Sequence, residues 1–234
     1  MYWPSKAREP SWWPEWMAGD FGNDVIERDL DLLVGTGSNT VRIFIPYRNE
    51  SSWGFTDGVG GNDNKALEYL VRFIEIAKSK DLFVVPNVFQ EMEVVGNGGF
   101  PIPDIDDETS ILESNRGNHE SFMSWFMGGI RTFDNIPLVI IKNEPDGYEA
   151  WASEFARHKI MEWLVEMYAA AREAAPNIRL SSVSSTHDNL FVKSPHQPVG
   201  EQSLYEISDV VMWNAFLWAD NGHWHTQVSP NWLR

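Results

Sequence analysis

Five apolar runs recur along the chain with helix-compatible segments between them, and this alternation limits the fold more than any other feature of the sequence. The runs are TVRIFIPY (40–47), LFVVPNVF (82–89), IPLVIIKN (136–143), IRLSSVSS (178–185) and DVVMWNAF (209–216). They are mostly rich in β-branched residues, several follow chain breakers, and they read as strands. Near-continuous apolar runs, rather than strict alternation, fit a parallel sheet covered on both faces. Between them, Ile26, Leu30, Leu33 and Val34 line one helical face behind a candidate cap at Asp24. Further stripes run through 66–77 and 122–130, and the strongest, over 152–175, stops at Pro176. Alternating strands and helices in one chain predict an α/β fold with right-handed crossovers. No linker or low-complexity run divides it, so residues 1–234 read as a single domain.

The strand count leaves two architectures open. Strands start at 40, 82, 136, 178 and 209, and a helix at 24–34 requires one more strand before it, around residues 1–3. Six strands satisfy a doubly wound sheet, whereas a closed barrel needs eight. Periodicity does not choose between them. The absence of a glycine-rich phosphate fingerprint after any strand counts against a nucleotide-binding sheet.

Charge narrows the partners. With 34 acidic and 18 basic residues the formal net charge is −16, the reverse of a nucleic-acid binder. There are no cysteines, and the six histidines include no HExxH pair, so neither a thiolate nor a zinc site is expected, and no cofactor is implied. No apolar run reaches the ~18 residues of a membrane span, and the opening residues show no export signal, which leaves the compartment open. Twelve tryptophans are the unusual entry in the composition. Trp3, Trp12, Trp13 and Trp16 crowd a segment interrupted by Pro10 and Pro14, which argues against one buried helix face. Exposed rings there would suit stacking on the apolar faces of sugars; packing in the core is the equal alternative.

The sharpest chemical signal is Lys142-Asn143-Glu144-Pro145-Asp146, directly after the run PLVII. A Glu at the C-terminal tip of a barrel strand stands where such folds place their active sites. Partial burial beside aromatic rings would keep it protonated, as a general acid requires. Asn143 offers an amide that both donates to and accepts from a hydroxyl. The plainer reading is a turn, since Asn, Pro and Asp are common turn residues. Arg42, inside an apolar strand, needs a partner, either a site carboxylate or a structural ion pair. Gln90, Glu91 and Glu93 follow the run at 82–89 and read as a solvated acidic loop or a cleft lining. His187, Trp218, His223, Trp224 and His225 follow later strands, where loops of a barrel contact substrate.

These segments resemble the clan of glycoside hydrolases that contains the cellulase family, glycoside hydrolase family five. VIERDLDLLVGTGSNTVRIFIP is similar to its first helix and second strand, LVIIKNEPD to its fourth strand, and SDVVMWNAF to its sixth. The asparagine–glutamate pair is the specific element. The resemblance implies an incomplete (β/α)₈ TIM barrel with about six of its eight units, acting on β-linked poly- or oligosaccharides by a retaining mechanism. It makes Glu144 the acid/base, Asn143 the residue that holds the substrate 2-hydroxyl, and Arg42 the partner of the nucleophile. Where many members end strand six with His-x-Tyr, this chain has Asn214 and Phe216. Asn214 keeps a hydrogen-bonding side chain; Phe216 lacks the hydroxyl. His187, Trp218 and Trp224 are the further substrate-binding candidates. The nucleophile, expected on strand seven, falls beyond Arg234, so the expectation is a partial domain completed by another segment or associating through open barrel edges. A non-catalytic carbohydrate-binding or orphaned barrel piece is the second reading.

Overall fold

The computed structural model describes residues 4–6, 13–45, 47, 55, 63–89, 111–146, 154–185, 188–192, 194–196, 200–213, 217–220 and 223–226. Its elements are α1 (Trp13–Ala18), α2 (Asn23–Gly35), β1 (Thr40–Ile45), α3 (Asn64–Lys78), β2 (Phe83–Val88), α4 (Ile111–Ile130), β3 (Leu138–Asn143), α5 (Glu154–Ala174) and β4 (Arg179–Ser184). They continue with β5 (Ser194–His196), β6 (Gly200–Gln202), α6 (Leu204–Ile207), β7 (Met212–Trp213), β8 (Leu217–Asp220) and β9 (His223–Thr226).

Among the described residues the main sheet has five strands in the order β1-β2-β3-β4-β7, every pair parallel, with Thr40 opposite Phe83 and Val183 opposite Met212. Sequential order in a parallel sheet is the arrangement of a (β/α) barrel; a doubly wound sheet reverses direction at a switch point. The architecture is an incomplete barrel. The first strand expected around residues 1–3 lies outside the described residues.

Two apolar layers flank the sheet. Val41, Ile43 and Ile45 of β1, with Val139 and Ile141 of β3, pack outward against Leu30, Leu70, Phe73, Ile74, Phe126 and Leu164 of the helices. On the inner face Val85, Ile140 and Val183 form a second, smaller cluster with Leu138 and Met212. Asn135 ties the bottom of the sheet together: its side-chain amide donates to the carbonyls of Ile74 and Leu82, and its backbone carbonyl accepts from the Val84 amide.

Two local expectations are corrected, and one further segment gains a defined structure. Trp13 and Trp16 are buried, 1% and 2% exposed, and both sit on α1. Pro14 does not prevent this because it falls in the first helical turn, whose N–H groups have no acceptor within the helix. The Trp13 indole donates to the Phe44 carbonyl on the outer edge of β1 (2.8 Å), and the ring packs edge-on against Phe55 and Phe73. Helix α2 is capped by Gly22 with no side-chain hydrogen bond, so Asp24 lies inside its first turn. The stretch around Trp218 and Trp224 is an antiparallel hairpin of β8 and β9, pairing Trp218 with His225 and Ala219 with Trp224.

Candidate active site

Arg42 lies on the inner face of β1, opposite in alternation to the outward Val41 and Ile43. Its Nη2 donates to Asn87 Oδ1 of β2 and to Asn143 Oδ1 of β3, both at 2.6 Å. The guanidinium carbon stands 5.5 Å from the Phe44 ring centroid. Nε is buried and has no hydrogen-bond acceptor among the described residues. Burial pulls the Arg42 pKa below its ordinary value, and the neighbouring charge of Glu144 opposes that shift. An arginine stays protonated under such a shift. One cation is therefore held by two neutral amides from the next two strands, with a carboxylate near enough to act on it. That arrangement differs from a simple structural ion pair.

How Asn143 reaches Arg42 follows from a break in the register. Ile140 pairs with Ser181 and Asn143 with Val183, so β3 advances three residues while β4 advances two. Strict alternation would put Lys142 on the inner face with Ile140 and turn Asn143 outward with Val139 and Ile141. The extra residue reverses this. Lys142 is fully buried and donates to the Phe89 carbonyl (3.0 Å), while Asn143 meets Arg42 across the inner face. Bulges next to active sites commonly re-aim a side chain in this way.

Glu144 follows with φ +49°, the left-handed region. That conformation costs a non-glycine residue roughly 1–3 kcal/mol and persists only where the surroundings hold it. Its amide donates to Val183 O at 2.6 Å, and the side chain is half-buried. Two residues on, the buried carboxylate of Asp146 accepts from Ser184 Oγ (2.6 Å), Ser185 N (2.8 Å) and Ser185 Oγ (2.9 Å). Phe89, at the end of β2, also has positive φ (+48°). Behind this rim Tyr47, Phe89 and Trp163 pack around the buried His119, whose Nδ1 accepts from the Trp163 indole (3.0 Å), and Phe122 packs on Tyr47 and Phe89.

Of the residues singled out in the sequence, the structure brings together Arg42, Asn143 and Glu144. Asn87 and Asp146 join them unannounced. Asn214, His187, Gln90, Glu91 and Glu93 lie outside the described residues. Trp218 and Trp224 are on the β8–β9 hairpin. Among the described residues no group of three or more His, Cys, Asp or Glu could hold a metal ion, and no helix is long and apolar enough to cross a membrane.

No protein-family model and no curated protein sequence matches the chain. Solved structures do. The chain is similar to an exo-β-1,4-mannosidase from Opitutaceae bacterium strain TAV5, at 22% identity and TM-score 0.66, over 92% of this chain and 37% of that one. It is similar to a β-mannanase from the blue mussel Mytilus edulis, at 13% identity and TM-score 0.62, over 88% and 66% of the two chains. A β-1,4-mannanase from the sea hare Aplysia kurodai gives 13% identity and TM-score 0.59, over 87% and 66%. The chain thus spans between about a third and two thirds of these structures. Its five-stranded sequential sheet, its enclosing helices and these likenesses agree on the fold: an incomplete (β/α) barrel of the kind seen in these mannanase and mannosidase structures.

Proposed function

We propose that this chain is part of a retaining hydrolase of β-linked glycans, of the mannanase or cellulase kind, with Glu144 as its acid/base. The observation that carries this reading is the convergence of Arg42, Asn143 and Glu144 on the inner rim of a barrel-type sheet. The named likenesses to β-mannanases support the substrate class.

In this reading Glu144 donates a proton to the leaving glycosidic oxygen and later takes one from the water that releases the sugar. Asn143 accepts from Arg42 through Oδ1, and in this reading its side-chain amide is the group that meets a sugar hydroxyl. Arg42, held by amides and with Nε unsatisfied among the described residues, offers a charge-assisted site for a second carboxylate. A retaining mechanism places that carboxylate about 5–5.5 Å from the acid. Asp146 does not serve, because its oxygens are committed to Ser184 and Ser185. In the clan that the sequence resembles the nucleophile ends strand seven, so this reading assigns it to a segment outside these 234 residues. The test compares leaving groups in a completed, active form. Glu144→Gln should cut turnover by about 10²–10⁴-fold on unactivated oligosaccharides, with much less loss of bond cleavage on activated aryl glycosides. Equal, small losses on both would leave Glu144 a loop residue.

A further inference from the structure

We infer that Asp146 is a positioning residue for Glu144: its buried carboxylate staples the turn after β3 to the end of β4 and so holds Glu144 in its left-handed conformation. The functional meaning of this staple rests on the proposed role of Glu144.

Three observations converge on it. An Asp at a turn ordinarily hydrogen-bonds its own backbone two residues on and stays in solvent. Asp146 is instead 5% exposed, and among the described residues every hydrogen bond it accepts comes from 38 or 39 residues away. Burying a carboxylate is costly unless its lone pairs are satisfied, and here two hydroxyls and one backbone amide supply the donors. Second, the contacts of this turn are consecutive on the partner strand: Glu144 N bonds Val183 O, and Asp146 bonds Ser184 and Ser185. The turn is thus fixed to one strand end at two points, one on each side of Pro145. Third, Glu144 has φ +49°, which a non-glycine residue keeps only where its surroundings over-determine it. The two-point attachment is what over-determines it. The bulge turns Asn143 inward, and the staple fixes the residue after it.

The test uses the full chain, isotopically labelled, with the Glu144 ¹³Cα resonance as the signature of its backbone conformation and amide exchange as the measure of local opening. Asp146→Ala should move the Glu144 ¹³Cα resonance away from its left-handed position. It should also speed exchange of the Glu144 amide by about tenfold or more relative to the Ile141 amide in the preceding strand β3. Asp146→Asn should restore both readouts, because Oδ1 still accepts the Ser185 amide and the two hydroxyls can turn to the new donor. Where Asp146→Ala does not fold, Ser185→Ala, which removes one hydroxyl and leaves the backbone donor, should give a smaller change confined to Glu144. An unmoved Glu144 resonance in the folded Ala variant, or equal acceleration at Glu144 and Ile141, overturns the staple. Glu144→Gln turnover is a separate measurement. If it shows no catalytic role while the resonance and exchange behave as stated, the staple stands and the catalytic reading falls.

Discussion

At the scale of single residues, the site is organised by one cation shared among amides. Asn87 is fully buried while Asn143 is half-buried, yet both accept from the same Arg42 nitrogen at the same distance. Removing an acceptor costs most where water cannot replace it. Asn87→Ala should therefore destabilise the chain by about 1.5–3 kcal/mol in denaturant unfolding, and Asn143→Ala by under about 1 kcal/mol. Equal losses would mean that solvent reaches both. The sequence made Asn143 and Glu144 visible because they end an apolar run. Arg42 was visible because a charge inside such a run demands a partner. The same reasoning applies to Asn87, the one polar side chain within FVVPNV, and would have found it. Asp146 was hidden behind its turn propensity. Its partners, Ser184 at the end of an apolar strand and Ser185 directly after it, were the available signal. Paired hydroxyls at a buried strand end need acceptors as surely as a buried arginine does.

At the scale of elements, helices are fastened to strands by buried polar contacts as well as by apolar packing. The Tyr168 hydroxyl of α5 donates to Ser182 Oγ of β4 and meets Ser208 Oγ beyond α6, each at 3.1 Å. Burial pushes the phenol's pKa well above its ordinary value, with the two serine hydroxyls pulling the other way. The folded chain thus keeps this proton where the unfolded chain loses it. The resulting stability is complete below pH about 10 and is lost as pH rises from there toward the folded-state value. Tyr168→Phe should cost about 1 kcal/mol at neutral pH, and the gap to the native chain should narrow above pH about 10 in urea unfolding. A constant gap would mean that the phenol is not shielded. The five strands were legible because parallel sheets covered on both faces need continuous apolar runs. The β8–β9 hairpin was equally legible and missed: Asn221-Gly222 separates LWAD from HWHT, and Asn-Gly between two strand-like runs is the strongest short-range hairpin signal. Trp13 and Trp16 were misread because the prolines were weighed without asking which turn of a helix each would occupy.

At the scale of the whole molecule, a barrel active site is assembled from the ends of several strands, so chemistry and architecture must be complete together. Arg42, Asn87 and Asn143–Glu144 come from three successive strands, and the sheet among the described residues has five. Its inner layer, Val85, Ile140 and Val183, is small, and Phe83 at the lower end of that face is 43% exposed. A closed barrel fills this space with side chains from eight strands in layers. The double displacement needs a nucleophile facing Glu144 across the sugar, and the proposal assigns it to a further segment. The expected outcome is that a purified, monodisperse sample of this chain shows no turnover dependent on Glu144 with β-mannans, β-glucans or aryl β-glycosides. Arg42 and Asn143 would still give weak, salt-insensitive binding of neutral oligosaccharides, because amide and guanidinium donors to hydroxyls do not require the second carboxylate. Turnover that Glu144→Ala abolishes would sink the assignment of the nucleophile to another segment. It would direct the search to carboxylates of this chain outside the described residues, with Glu91 and Glu93 after β2 the first to replace.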